Sequence, residues 1–141
     1  MSAMSDYLEG QIRAHIFRTA TFTKPTVLAI ALCTAATTDA QDGSTITEVA
    51  NTGSYARQTL NPADANWTAA SATDGLTDNA SAITFPTATA DWGVITHFAI
   101  CNSATWGAGN VLIHGALTSS KTVTNGDTIS FPIGDLNVTF A

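Results

Sequence analysis

The chain has 141 residues, a net charge of −6 and a pI near 4.6, with only 11% of its residues charged against the ~25% of ordinary soluble domains. Its five Lys and Arg residues are too few for the basic stripe that nucleic-acid binding requires. The longest apolar run, residues 27–33, falls far short of the ~20 residues that cross a membrane.

At this length one domain over residues 1–141 buries roughly 68–70% of its unfolded surface and needs no disulfide. About a third of the residues are Ala or Thr. Few charges and many small side chains suit a surface packed against other protein. A monomer kept soluble by hydroxyls and amides is the alternative. The N-terminus carries acidic residues and lacks the apolar stretch of a secretory signal. Cys33 and Cys101 lie in apolar runs and are expected as buried free thiols, in keeping with synthesis in a reducing cytoplasm.

Residues 1–20 are expected as an N-terminal helical segment, with the helix itself running from Ser5 to Arg18. Ser5 can cap the first turn, with Asp6 and Glu9 near the positive helix end and Arg18 near the other. Leu8, Ile12 and Ile16 recur at four-residue spacing with Phe17 alongside. This stripe packs either on the chain's own core or on a partner. Gly10 inside it costs about 1 kcal/mol relative to Ala, so the helix relies on docking.

The body spans residues 26–141. Residues 26–34 predict a strand with Leu28, Ile30 and Leu32 on one face and small Val27, Ala29 and Ala31 on the other, a central strand under another element. A polar loop over 35–45 leads to short strands around Thr47–Val49 and over 55–60, separated by a turn at Gly53. Residues 61–79 are irregular, hold Trp67, and admit one weak strand. Four runs follow in register with their turns: 83–85, 93–101, 110–118, and the closing pair 127–131 and 136–140. A hairpin loop over 102–109 carries Trp106, and Asn125-Gly-Asp127 is a tight turn. About eight strands at this spacing predict an all-β, jelly-roll-like antiparallel sandwich with a short N-terminal helix.

Chemistry is sparse. A hairpin centred near Thr105 would set His97 almost opposite His114, close enough to share a metal, yet neither strand offers a carboxylate to orient the rings. Neutral, hydrogen-bonded imidazoles are expected, and no metal or cofactor. Nine Asp residues sit mostly at turn positions, and the only Glu residues are Glu9 and Glu48. Catalytic elbows, Cys-x-x-Cys pairs and phosphate loops are lacking, so no enzyme is expected. Trp92 should cap the core, whereas Trp67 and Trp106 suit either capping or contact with a partner. The interface candidates are therefore Leu8, Ile12, Ile16, Phe17, Trp67 and Trp106.

Several segments stand in a fixed order: Ser5-Asp-Tyr-Leu-Glu9, Glu48-Val49, Ser54-Tyr-Ala-Arg-Gln58, Ile83-Thr-Phe-Pro86, Ala90-Asp-Trp-Gly93, Thr96-His97, Gly115-Ala-Leu-Thr118, Ser120-Lys-Thr-Val123 and Gly134-Asp-Leu136. In that order they resemble the small virion proteins of tailed bacteriophages, often labelled tail fibre proteins, some of which are capsid cement proteins. The chain departs from the family pattern at Cys101-Asn102 and in a longer stretch over 61–79. The resemblance implies a jelly roll forming homodimers on the capsid surface, where it bridges and stabilises major capsid protein subunits, with no catalytic residues. The alternative is a tail fibre or tail-tip protein that binds host surface glycans. On the cement reading, the helical segment is a clamp whose removal leaves the body folded. A third class, a β-sandwich hydrolase, would need two acids about 5–10 Å apart in a groove.

Overall fold

The structure is a computed structural model that describes residues 2–70 and 74–140. The chain begins as an edge strand, Ser2–Met4 (β1), and turns at Ser5 into a helix, Asp6–Phe17 (α1). Ser5 is the N-cap: its hydroxyl accepts the Leu8 amide and donates to the Val111 carbonyl, and its own amide bonds the Leu112 carbonyl. One residue thus caps the helix and fastens it to the sheet. At the far end the Arg18 amide closes onto Ala14 O at 3.1 Å.

The strands that follow are Ala29–Cys33 (β2), Gln58–Thr59 (β3), Leu76–Asp78 (β4), Ile83–Thr84 (β5), Gly93–Cys101 (β6), Val111–Val123 (β7), Ser130–Phe131 (β8) and Asn137–Thr139 (β9). One sheet runs β1-β7-β6-β2-β3, and two ribbons, β4-β9 and β5-β8, face it. Every pairing is antiparallel. The result is an all-β sandwich with a short N-terminal helix. Its second layer is made of separate two-stranded ribbons.

Strand β2 is central and buried at all of its positions, which is why it reads as an unbroken apolar run. Ile30 and Leu32 face the main core with Phe85, Ile95, Phe98, Phe131, Leu136 and Val138, joining sheet and ribbons. Ala31 and Cys33 face a second, thinner cluster with Ile46, Ala99, Cys101 and Val111, roofed by the loop that carries Ile46. The small-residue face thus lies under another segment, as the pattern predicts. Burial at 0% leaves both cysteines as free thiols.

Several boundaries differ from the sequence pattern. Among the described residues nine strands form, against the about eight expected. Strand β1 was not expected; it is held because Ser2 pairs with Gly115 and its hydroxyl bonds both the amide and carbonyl of Thr139, tying the two chain ends together. Only Gln58–Thr59 of the alternating run over 55–60 is a strand, because Tyr55 and Arg57 turn inward to polar partners. Thr47–Val49 contributes a single bridge, Cys33 to Glu48. Strand β7 runs on to Val123 through a register shift opposite Ile95/His97. The weak strand expected within 61–79 is β4; residues 71–73 of that stretch lie outside the described residues.

Candidate functional site

The most concentrated chemistry lies inside the protein. Arg57 and Glu48 form an ion pair at 2.7 Å with side chains 0% and 2% exposed. The Arg57 Nε–H donates to Glu48 Oε1 at 2.8 Å and one Nη2–H to Oε2. The remaining N–H groups reach the carbonyls of Gly43, Ser103 and Ala108 at 3.0, 2.9 and 2.8 Å. All five guanidinium donors are thereby used. Burial alone would lower the Arg57 pKa, but the hydrogen bonds and charge of Glu48 outweigh it and hold the guanidinium above its ordinary value.

Tyr55 completes the group: its hydroxyl donates to Glu48 Oε1 at 2.8 Å and accepts the Leu32 amide at 3.0 Å. Burial, then the Glu48 charge, pushes the phenol far above its usual pKa. Gly43 must be glycine here, since a Cβ would stand 2.1 Å from Ala108 O. The arrangement pins the 43–48 segment and the 102–109 hairpin loop to β2. A nucleophile would need a lowered pKa and access; the Tyr55 phenol is raised and buried.

The same logic joins two of the motif segments. Gly53, at φ 60°, leads into Ser54, at φ 64°. The Gly53 carbonyl accepts the Trp92 indole N–H at 2.9 Å and the Thr89 amide at 3.0 Å. Trp92 is 7% exposed and meets Tyr55 edge-on at 5.3 Å, so it caps the core as expected.

The interface candidates divide by burial. Leu8 is 6% exposed in the main core, and Ile12 packs half-buried against it, whereas Ile16 and Phe17 stand 63% and 81% exposed. Trp67 is half-buried, with its indole N–H on Leu60 O at 3.0 Å. Trp106 is 43% exposed while its N–H holds Val49 O at 2.8 Å, so one edge anchors the hairpin loop and the rest faces out. The helical segment is tied to the body through β1, the Ser5 bonds and buried Leu8, which argues against its being removable as a clamp.

The histidines do not face each other. Ala99 opposes His114 and Ala116 opposes His97, because the hairpin is centred on Trp106, as the Cys101–Val111 pair shows, and a bulge at Ile100/Cys101 then leaves Leu112 extra on β7. His97 Nδ1 lies 2.8 Å from Thr96 Oγ1. His114 Nε2 meets Asp39 Oδ1 at 2.9 Å, a carboxylate delivered by a loop remote in sequence. Among the described residues no group of three or more His, Cys, Asp or Glu could hold a metal. Burial raises the Cys33 and Cys101 thiols to about 12 and about 11, which leaves them unreactive at neutral pH.

Two surface clefts stand out among the described residues. One, of about 400 Å³, lies where the outer part of β7 faces β8 and β9. Its polar lining includes Ser2, Thr118, Lys121, Ser130, Asp135 and Asn137. The other, of about 470 Å³, runs beside α1 and is mainly apolar, lined by Ile12, Phe22, Leu28, Trp67, Val138 and Phe140 among others. No helix among the described residues is long and apolar enough to cross a membrane.

A family model described as podophage GP4 fiber I protein gp80 matches residues 3–139, nearly the whole chain. No curated protein matches. The description names a fibre protein and makes no mention of capsid cement.

Proposed function

Because this chain belongs to the family of the podophage GP4 fiber I protein gp80, it is a phage virion structural protein of the tail-fibre type, and we propose that it serves there as a rigid contact module. The family match over residues 3–139 carries this reading. The fold supports it: the buried Glu48–Arg57–Tyr55 group holds the 43–48 segment and the 102–109 loop rigidly in place. The polar cleft supports a finer role in contacting host surface glycans, because Asp and Asn side chains beside several hydroxyls suit the donors and acceptors of a sugar.

A capsid cement protein bridging major capsid subunits would be the same kind of molecule at a different place. The charge-poor surface suits shared area at either location. Immunogold labelling of purified particles separates the two: label at the tail is expected. Label over the shell with a bare tail would overturn the fibre assignment. The fibre reading expects a trimer in sedimentation equilibrium and the cement reading a dimer. On a glycan array, the wild type should bind and Asp135→Ala/Asn137→Ala should not.

A further inference from the structure

We infer that the exposed end of α1, together with the apolar cleft beside it, is the docking surface for an acidic, apolar segment of a different virion protein. This rests on the virion assignment above. The stripe Leu8, Ile12, Ile16 runs off the edge of the protein's own core: burial falls from Leu8 through half-buried Ile12 to Ile16 at 63% and Phe17 at 81% exposure. Residues four apart on a helix are neighbours, so Ile16 extends the wall that Leu8 and Ile12 give to the cleft. Phe140, at 50% exposure, adds an aromatic to the opposite lining. An apolar cleft with exposed Phe140 in its lining and exposed Ile16 and Phe17 at the end of the adjoining helix offers the aromatic anchors that protein interfaces favour.

Charge identifies the partner. Three of the five cations, Arg13, Arg18 and Lys24, lie on and just after α1, and all three are exposed. None of them makes a salt bridge among the described residues. Residues 1–24 carry a net positive charge, with only Asp6 and Glu9 in opposition, whereas the rest of the chain has nine acids against Arg57 and Lys121. Lys24 itself lines the cleft. An apolar cleft with exposed Lys24 in its lining, and Arg13 and Arg18 on the helix beside it, selects apolar side chains flanked by Asp or Glu. A second copy docking two-fold on this patch would set the same cations against each other, because such contacts are self-facing. Charge therefore favours a different chain.

The test uses intact particles carrying Phe17→p-benzoylphenylalanine, with Val94→p-benzoylphenylalanine on β6 as the exposed control. After irradiation, mass spectrometry should find position 17 joined to an acidic, apolar segment of another virion protein, and position 94 not joined there. In parallel, Ile16→Ser/Phe17→Ser should lower the copies incorporated per particle at least tenfold with an unchanged melting temperature. A crosslink to a second copy, to a basic segment or to nothing would overturn the inference, as would normal incorporation of the double variant. Absence of the wild-type chain from particles would instead sink the virion assignment, and this inference with it.

Discussion

Replacing Glu48 by Ala should cost the fold about 3–5 kcal/mol, the range for removing one partner of a buried ion pair. The Arg57 side chain is 0% exposed, so its charge cannot recover water without opening the loops it holds. Two of its N–H groups lose their acceptor, as does the Tyr55 hydroxyl. With about 2.1 cal/mol/K of unfolding entropy per residue, that loss lowers the melting temperature of a chain this long by roughly 10–17 °C.

A double variant, Arg57→Met/Glu48→Leu, removes both charges and should lose less than the two single variants summed. It should not return to wild type, because the carbonyls of Gly43, Ser103 and Ala108 lose their donors, and a buried unsatisfied group costs about 1–3 kcal/mol. Urea unfolding followed by tryptophan fluorescence gives all of these values. A loss below about 1 kcal/mol for Glu48→Ala, or strict additivity of the singles, would refute the claim that this pair organises the loops.

Gly43→Ala should destabilise by about 1–3 kcal/mol through forced overpacking against Ala108 O. Gly10→Ala, with nothing within 4 Å of the added Cβ, should stabilise by about 0.5–1 kcal/mol; thermal melts compare the pair directly. Deleting residues 1–18 should yield an aggregated or unfolded chain by circular dichroism, since it removes β1, the Ser5 bonds and Leu8. Stability should fall as pH rises above the ordinary thiol value of 9.0, because the unfolded thiols ionise there while folded Cys33 and Cys101 hold their protons up to about 12 and about 11. Cys33→Ala/Cys101→Ala should flatten that alkaline limb. At the acid end, hydrogen bonds from Ser44 and Thr124 lower the Asp42 and Asp127 pKa below 3.8. Their contribution is present above that value and lost as pH falls through the lowered one, so Asp42→Asn/Asp127→Asn should flatten the acid limb.

Local signals carried the fold a long way. Ser5, the acidic first turn and the four-residue stripe located α1 to within a residue at each end, because capping and periodicity act over a few positions. The large and small faces of β2 located its two unequal clusters. Strand β1 was illegible because three residues carry no periodicity; what orders them is pairing with Gly115 and the Ser2–Thr139 bonds, across 137 positions of sequence. The hairpin register failed for a comparable reason: the loop turns at Trp106, one residue beyond the expected centre, and the single extra Leu112 of the bulge adds another, neither of which a run of apolar residues announces.

The buried pair was missed for a different reason, and that reason bears on function. Glu48 and Arg57 each look like an ordinary surface residue in the sequence; only the fold removes both from water and adds three carbonyls and a phenol. Charged groups are almost never fully buried unless paired, so in a chain with few charges the interior location of two of them is a strong constraint. It fixes the 43–48 segment and the 102–109 loop, and with them the exposed face of Trp106. A contact module gains from that rigidity, since loops already ordered lose less entropy when a partner binds. Loosening the pair should therefore weaken attachments made through Trp106 more than those made through Phe17, whose helix is fastened independently by Ser5 and Leu8.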